Sequence, residues 1–256
     1  YFLNKFITSQ VDEYDFITIY PTNYQICDNQ DILEYIKRDI LFGLIALDDT
    51  IIDGFDATKY SLDYDKLSVM DKWLLSKLNT LIKEVDNNLE NYKITETSRI
   101  LQDFVDDLSN WYVRRSRERF WGKEMTQDKI NAYMTLYTTL VELAKISAPM
   151  IPFMADDIYR NLVCSIDKNA PISVHLCDFP AFKEEWIDKD LETNMKEVLD
   201  IVVLGRSCRN SANIKNRQPI GKMFVKSYTE LDDFFKAIIA EELNVKKVEF
   251  KDDVKD

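Results

Sequence analysis

The chain has 256 residues, of which 46% are hydrophobic and 30% charged, enough for one large domain or two small ones with a substantial core. Its formal net charge of −12 excludes a general attraction of the whole surface to nucleic acid or to an anionic membrane, so such a partner would need a local basic patch. Five isolated glycines provide no Gly-rich phosphate loop, and a single histidine, His175, excludes a multi-histidine metal site.

The cysteines and the apolar segments bear on the cellular compartment. The four cysteines are widely spaced and form no C-x-x-C pair: Cys27, Cys164, Cys177 and Cys208. Their even number permits two disulfides, but a chain of this size without a signal peptide favours reduced thiols. No apolar run approaches the roughly 18 residues that a membrane helix needs. We therefore expect a cytoplasmic protein without a membrane contact.

The residues up to 66 are acidic and rich in aromatic side chains, with an extended segment predicted at 16–20 and a helix at 31–47. From Ser68 onward, apolar residues recur at helical spacing. We predict helices beginning at an N-cap Ser68, at a cap Thr95 and near Asp128, the second of them ending near Gly122. A short helix is predicted at 153–163, an extended segment at 172–176 and a further helix at 191–210. This pattern predicts a mainly α protein built as an antiparallel helical bundle.

The last segment of the chain changes its period. Residues 223–226 and 245–250 have the pattern of strands, and residues 230–242 that of a helix. We predict a small strand-helix-strand α/β appendage after the bundle. The expected organisation is an N-terminal segment of uncertain fold at 1–53, the bundle at 54–215 and the start of the α/β part at 216–256.

Two segments reverse the overall negative charge, and the first is residues 111–123. Only Glu118 opposes its five cations, which alternate with aromatic residues: Arg114, Arg115, Arg117, Arg119 and Lys123, with Trp111, Tyr112 and Trp121. Guanidinium planes and aromatic rings suit the unstacked bases of single-stranded RNA. An alternative interpretation is structural, because cations at the end of a helix complement its dipole and Trp111 and Tyr112 continue the apolar stripe.

The second segment lies between Asp200 and Glu230, where no acidic residue occurs. It contains six cations: Arg206, Arg209, Lys215, Arg217, Lys222 and Lys226. A basic stretch enclosed by acidic sequence predicts an anionic partner at that surface. The alternative is a solvated helix end followed by a basic loop. His175 is expected to be an ordinary surface or core histidine, and the acid pairs Asp106-Asp107 and Asp156-Asp157 are expected on solvated faces.

Five separated segments together resemble isoleucyl-tRNA synthetases. They occur in the order found in that family: Asp71–Asn79, Asp103–Arg117, Ala148–Ala155, Ser173–Leu176 and Ile214–Ile220. The resemblance covers residues 54–256 and implies the helical anticodon-binding region that follows the catalytic core, with the start of a C-terminal junction. Residues 1–53 do not match the family.

The sequence also departs from that family. Its H-I-G-H and K-M-S-K-S motifs are absent, and Gly221-Lys222-Met223-Phe224-Val225 is not a version of the second. The resemblance therefore implies a fragment that is not catalytic alone and holds no cofactor. It places ATP and Mg²⁺ in the catalytic core of the parent enzyme, and zinc in a C-terminal module.

The expected partner is the anticodon stem-loop of tRNA-Ile, bound by a monomer. The predicted RNA-binding residues come from both basic segments: Arg114, Arg115, Arg117, Arg119, Trp121, Lys123, Arg206, Arg209, Lys215, Arg217, Gln218 and Lys222. Cations would neutralise phosphates, Trp121 or Tyr112 would stack a base, and Arg217 or Gln218 would contact a base edge. We further expect the two segments to form one continuous cationic strip.

Two other functions remain open from the sequence. The same basic surface would also suit a helical scaffold that recognises an acidic protein partner. A hydrolase in the acidic N-terminal third would require carboxylates that converge in a pocket.

Overall fold

The computed structural model describes residues 55–227 and 231–251, which belong to two compact units divided between Ile187 and Asp188. The described residues are mostly helical, with one small sheet, so the predicted mainly α class is confirmed. The extended segment and the helix predicted before residue 54 lie outside the described residues, as does the segment of uncertain fold at 1–53.

The first unit contains five described α-helices: α1 (Val69–Glu90), α2 (Ile94–Asp107), α3 (Arg117–Trp121), α4 (Gln127–Ser147) and α5 (Pro152–Tyr159). Helix α1 packs against α2 and α4, and α4 also contacts α3 and α5. The interior is filled by fully buried side chains that include Trp73, Leu78, Tyr133 and Leu140. The apolar stripes predicted from the sequence thus meet in one core. The antiparallel arrangement of the helices stays a prediction.

The helix starts show which N-caps the sequence pattern identified correctly. Ser68 and Asp71 form a capping box at α1, in which each side chain accepts a hydrogen bond of 3.2 Å from the backbone N–H of the other. Thr126 caps α4 by accepting from the N–H of Lys129 at 3.2 Å. Helix α2 begins at Ile94, after Lys93, without a side-chain cap, so the predicted cap at Thr95 is wrong.

Residues 94–121 are not one continuous α-helix. A π-helical turn at Leu108–Val113 follows α2, and Ser116 interrupts the helix again before α3. Three consecutive residues of the π-helical turn, 111–113, are buried. Gly122 ends α3 with φ −55°, outside the left-handed region.

The connector after α5 also differs from its prediction. Residues Arg160–Cys164 continue α5 as a π-helical turn. Residues Val174–Leu176 form a 3₁₀ turn, so the extended segment predicted there is wrong. The Ser173 hydroxyl accepts from the N–H of His175 at 3.3 Å, and this local hydrogen bond stabilises the turn.

The second unit contains α6 (Lys189–Ser211), β1 (Met223–Val225), α7 (Asp233–Leu243) and β2 (Val248–Phe250). The two strands are parallel and α7 connects them, as the strand-helix-strand prediction requires. Helix α6 packs against α7, closely enough that a Cβ on Gly205 would lie 2.4 Å from Leu243 Cδ1. The structure groups α6 with the strands, and the predicted domain boundary at 215/216 stays a prediction.

Both long helices of this unit end at a left-handed asparagine. Asn213 has φ 54°, and the N–H of Ile214 donates to the Arg209 carbonyl at 2.9 Å. Asn244 has φ 49°, and the N–H of Val245 donates to the Ala240 carbonyl at 2.9 Å. Asparagine tolerates this conformation better than most residues, so these ends are fixed by local sequence.

Candidate nucleic-acid interface

Helix α3, which lies within the predicted basic segment 111–123, is attached to the rest of the first unit through Arg119. Its guanidinium forms two hydrogen bonds of 2.8 Å to the carboxylate of Asp71, a residue that is 0% exposed. It forms two more of 2.8 Å to the carboxylate of Asp128. The Tyr112 hydroxyl donates to Asp71 at 2.7 Å and completes the network. Because Arg119 uses its fork on two carboxylates, it positions α3.

This network shifts the pKa values of its members. Burial of the Asp71 carboxyl favours its neutral form, but the hydrogen bonds and charge of Arg119, with hydrogen bonds from Tyr112 and Ser68, outweigh burial and lower its pKa. Burial and the negative charge of Asp71 raise the pKa of Tyr112 well above its ordinary value. Burial opposes the charge of Arg119, yet hydrogen bonds to Asp71 and Asp128 raise its pKa. All three groups therefore keep their usual charge at neutral pH.

A second attachment holds the end of α3. Lys129 is 2% exposed, and its ammonium donates at 2.6 Å to the carbonyl of Gly122, the C-cap of α3. The hydroxyl of Tyr133 donates to the carbonyl of Phe120 at 3.2 Å. These contacts satisfy helix-end carbonyls that would otherwise need water. Arg119, Phe120 and Gly122 are thus each held by contacts from α1 or α4, although α3 is short.

Other predicted residues of the first unit project outward from this fixed segment. Trp121 is 67% exposed, and Arg114, Arg117 and Lys123 are exposed. Arg114 lies along its own helix, where its Nε donates to the Asn110 carbonyl at 2.7 Å and its guanidinium lies 5.7 Å from the centre of the Trp111 ring. Arg115 is half-buried.

Tyr112 is excluded as a stacking platform because it is fully buried. Trp111 is also buried, which confirms that the two residues continue the apolar stripe. Of the two predicted stacking residues, only Trp121 has an exposed ring. Its contact with a base stays a prediction.

In the second unit, Arg209 organises the predicted basic stretch from inside. It is 4% exposed, and its guanidinium donates to main-chain carbonyls: those of Leu243 at 3.0 Å, Lys215 at 2.6 Å, Asn216 at 3.3 Å, and Gln218. The N–H of Gln218 closes the turn by donating to the Lys215 carbonyl at 2.9 Å. Because its donors face inward, Arg209 builds the 215–218 turn and does not present its charge to a ligand.

The 215–218 turn carries three of the predicted RNA-binding side chains on its surface. Lys215, Arg217 and Gln218 are all exposed. Arg206 is held by Glu242 on α7 at 2.8 Å, and Lys222 contacts Glu249 at 3.2 Å. The basic stretch thus contains a folded turn with three outward side chains. The two cations that are paired with carboxylates, Arg206 and Lys222, lie before and after this turn.

Sequence reasoning missed the residues that hold these segments in place. Asp71, Asp128 and Lys129 come from α1 and α4, and their pairing with α3 is a tertiary contact. For Asp71 the capping position was a partial signal, because an acid three residues after a serine marks a helix start. No local pattern marks its second role as a partner of Arg119.

The structure also describes the surroundings of His175, Asp156 and three of the cysteines, which the sequence analysis singled out. His175 is exposed on its 3₁₀ turn. Partial burial of the Asp156 carboxyl opposes its charge, but hydrogen bonds from the Ser173 hydroxyl and from the N–H of Val174 at 3.0 Å, with the charge of Arg160 at 2.8 Å, lower its pKa. The thiols of Cys164, Cys177 and Cys208 are free. Within residues 55–227 and 231–251, no group of three or more metal-ligating side chains converges.

Membrane insertion finds no support in the described part of the chain, where no helix is both long and apolar enough to cross a bilayer.

A comparison with protein families identifies the class to which this fold and these surfaces belong. Residues 71–225 match the family described as the anticodon-binding domain of tRNA ligase, and the chain belongs to that family.

Individual relatives narrow the class further. The chain is 55% identical over 203 residues to an isoleucine–tRNA ligase of Clostridium novyi, a match that covers 79% of this chain and 19% of the relative. It is 50% identical over 203 residues to that of Clostridium tetani, with the same coverage of both chains. It is 43% identical over 206 residues to that of Bacteroides thetaiotaomicron, covering 78% and 18%. The chain thus spans about a fifth of the length of these relatives, and the resemblance to isoleucyl-tRNA synthetases is confirmed.

Proposed function

We propose that the chain binds the anticodon stem-loop of tRNA-Ile, as one region of a longer ligase that charges this tRNA with isoleucine using ATP. The family match and the isoleucine–tRNA ligase relatives support the choice of ligand. Binding by this region requires no cofactor; ATP and Mg²⁺ act in the catalytic part of such a ligase, and zinc in a further C-terminal module. The region acts as a monomer in the cytoplasm.

The observation that carries this proposal is the combination of a fixed backbone with exposed cations and an exposed ring at α3. Trp121 is 67% exposed next to exposed Arg117 and Lys123, while Arg119 and Lys129 hold the same segment from beneath. A rigid recognition surface loses less conformational entropy on binding than a mobile one. An exposed tryptophan between cations, in a chain of charge −12, suits a base flanked by phosphates.

We divide the predicted residues by what they do in the proposed complex. Phosphates are neutralised by cations of both segments: Arg114, Arg115, Arg117, Lys123, Lys215 and Arg217. Trp121 stacks a loop base, and Arg217 or Gln218 contacts a base edge. Arg119 and Arg209 hold the backbone of the two segments, and Arg206 and Lys222 contact phosphates from positions set by their ion pairs with Glu242 and Glu249. The single cationic strip would join two units and stays a prediction.

The test is equilibrium binding of tRNA-Ile to the full chain over a series of salt concentrations. Replacing Trp121 by Leu should weaken binding about 5- to 150-fold, because stacking of one base contributes roughly 1–3 kcal/mol. The double variant Arg117→Gln/Lys123→Gln should lower the slope of log affinity against log salt, by about one for each phosphate that is no longer neutralised. Arg114→Ala/Arg115→Ala should weaken binding in the same way.

Matched variants control for loss of charge and loss of a ring in the same unit. Lys59→Gln/Arg160→Gln removes two exposed cations that form short-range pairs, and Phe153→Leu removes a ring that is 62% exposed. These controls should bind as the wild type does. Equal affinity for tRNAs with unrelated anticodons, or an affinity that is independent of salt, would reject the proposal. Persistent capture of an acidic protein after nuclease treatment would favour the scaffold alternative.

A further inference from the structure

The two-stranded sheet of the second unit has two chemically different faces. The parallel register pairs Met223 with Val248, Phe224 with Glu249 and Val225 with Phe250. In parallel strands, paired residues point to the same face and successive residues to opposite faces. The Val225–Phe250 face is directed toward α7, since Val225 is buried and Lys236 of α7 lies 5.6 Å from the Phe250 ring. Helix α7 therefore accounts for one face of the sheet.

The opposite face has a regular pattern of charge around one aromatic ring. Continuing the alternation by one position at each strand end gives three residues from each strand, which we name the lysine face: Lys222, Phe224 and Lys226, with Lys247, Glu249 and Lys251. The arrangement places Phe224 beside Glu249 in the middle and a lysine at each corner. Of these six residues, only Lys222 belonged to the predicted RNA-binding set.

Contacts within the lysine face confirm that its members lie together. Lys222 Nζ and Lys247 Nζ lie 3.2 Å and 2.8 Å from Glu249 Oε1, and Lys251 Nζ lies 3.9 Å from Oε2. Lys251 Nζ also lies 4.1 Å from the centre of the Phe224 ring. Hydrogen bonds from Lys247 and then from Lys222 lower the pKa of Glu249 to about 2. The carboxylate therefore remains charged and gathers three ammonium groups.

The gathered cations still face the solvent. The side chains of Lys222, Lys247 and Lys251 are 58%, 63% and 50% exposed, while that of Glu249 is 22% exposed. Phe224 is 44% exposed. Four lysines and one glutamate give this small face an excess of three positive charges within a chain of net charge −12. A face of this kind attracts an anion, and its ring offers a flat apolar surface at the centre.

We infer that the lysine face binds single-stranded RNA, with a base stacked on Phe224 and the neighbouring phosphates held by the lysines at the strand ends. Sheets that present an aromatic ring among cations are suited to unstacked bases, because every base offers a flat π surface. An acidic peptide would satisfy the lysines but would place no flat group on Phe224. The inference adds a contact region to the proposed tRNA binding and rests partly on that proposal, although it can be tested without tRNA.

The experiment uses the full chain and two probes, a short unstructured RNA oligonucleotide and tRNA-Ile. Phe224→Leu keeps an apolar strand residue and removes the ring, so the oligonucleotide should bind about 5- to 150-fold more weakly. Lys222→Gln/Lys247→Gln should reduce the salt slope of oligonucleotide binding by roughly 0.7 for each phosphate that is no longer neutralised. An oligonucleotide with a photoreactive base should cross-link to β1 or β2.

Control variants make the same kinds of substitution in the second unit, outside the lysine face. Phe234→Leu removes a ring of α7 that is 39% exposed, and Lys189→Gln/Lys196→Gln removes two exposed lysines of α6. Both should bind the oligonucleotide as the wild type does. Circular dichroism establishes that each variant is folded. If the Phe224 variant does not fold, the lysine pair and the cross-link position still decide the question.

The outcomes separate this inference from the proposed function. Oligonucleotide binding that the Phe224 and lysine variants leave unchanged, or no oligonucleotide binding at low salt, overturns the inference even if the α3 variants weaken tRNA binding. Oligonucleotide binding that depends on Phe224, in a chain that does not discriminate tRNA anticodons, supports the inference and rejects the proposed function. Equal binding of polyglutamate, with no effect of Phe224→Leu, would show an anion surface without base recognition and would also overturn it.

Discussion

The two basic segments of the chain are each organised by one arginine, half-buried Arg119 and buried Arg209, and the two have different partners. Arg119 in the first unit binds the carboxylates of Asp71 and Asp128. Arg209 in the second unit binds main-chain carbonyls, and among the described residues no carboxylate contacts it. The first arrangement neutralises a buried charge with opposite charges. The second distributes a buried charge over several dipoles.

An arginine in a basic segment can therefore have a structural role, whether its partners are carboxylates or main-chain carbonyls. In each case the guanidinium fixes a short piece of backbone, and its exposed neighbours carry the charge that a ligand would meet. The two arrangements should respond differently to substitution and to pH. Tryptophan fluorescence can distinguish them, since all four tryptophans, Trp73, Trp111, Trp121 and Trp186, lie in the first unit.

The largest expected effect is that of replacing Arg119 by Gln. The variant leaves the fully buried carboxylate of Asp71 without its charged partner, and breaking a buried ion pair in this way costs about 3–5 kcal/mol. The free energy of unfolding of the first unit, measured by urea titration with tryptophan fluorescence, should fall by that amount. Arg117→Gln, two positions away and exposed, should change it by no more than about 0.5 kcal/mol. Equal effects of the two variants would contradict the assigned role of Arg119.

A smaller effect is expected for Arg209→Gln. The carbonyls that lose their donors belong partly to exposed residues, so water can replace some of the missing hydrogen bonds, and we expect a local cost of about 2–3 kcal/mol. Hydrogen exchange at the Gln218 amide, which closes the 215–218 turn, should become roughly 30- to 150-fold faster. The matched variant is Arg217→Gln, which removes the same charge from the same turn. Its exchange should remain close to that of the wild type.

The pH dependence of stability should separate the two regions further. The pKa of Asp71 is lowered from its ordinary value of 3.8, so its contribution to the free energy of unfolding is fully present above pH 3.8 and is lost as the pH falls through the lower folded-state pKa. Urea titrations by tryptophan fluorescence should therefore show a steeper loss of stability below about pH 4 in the wild type than in Asp71→Asn. Equal slopes would show that Asp71 does not titrate as the network requires. The protection of the Gln218 amide should depend less on pH, because no acid contacts Arg209 among the described residues.

Local sequence rules predicted the helices and strands well, and they predicted α3 less well. The N-cap at Ser68 and the strand pattern at 223–226 depend on neighbours in sequence, and both predictions are confirmed. Arg117 and Arg119 are chemically equal, and only the tertiary contact of Arg119 with Asp71, 48 residues away, distinguishes them. The π-helical turn at 108–113 also interrupts the regular helix between α2 and α3, which the sequence pattern did not indicate.

The sequence of the second unit holds a further local signal at Arg209. This residue follows Val198, Val202 and Gly205 at spacings of four, three and four, and all four residues are buried. The spacing marks Arg209 as part of the packed stripe of α6. The sequence of each strand also shows which residues alternate on one face: Lys222, Phe224 and Lys226 in one, and Lys247, Glu249 and Lys251 in the other. The register that joins these two sets is parallel and depends on tertiary packing, so the lysine face could not be predicted from local sequence.

The smallest expected effect is that of replacing Gly205, which is connected to Arg209 through Leu243. A Cβ at this position would lie 2.4 Å from Leu243 Cδ1, and the carbonyl of Leu243 accepts a hydrogen bond from Arg209 at 3.0 Å. Gly205→Ala gains about 1 kcal/mol of helix propensity but forces buried Leu243 to move, at a cost of about 1–3 kcal/mol. We expect a net loss of about 1 kcal/mol, measured by hydrogen exchange of α6 and α7 amides, with faster exchange at Gln218 as well. Gly221→Ala, with no atom within 4 Å of the added Cβ, should leave this exchange unchanged. Faster exchange in α6 without any change at Gln218 would show that Leu243 can move without disturbing the Arg209 guanidinium, and the close α6–α7 packing would then be independent of the basic turn.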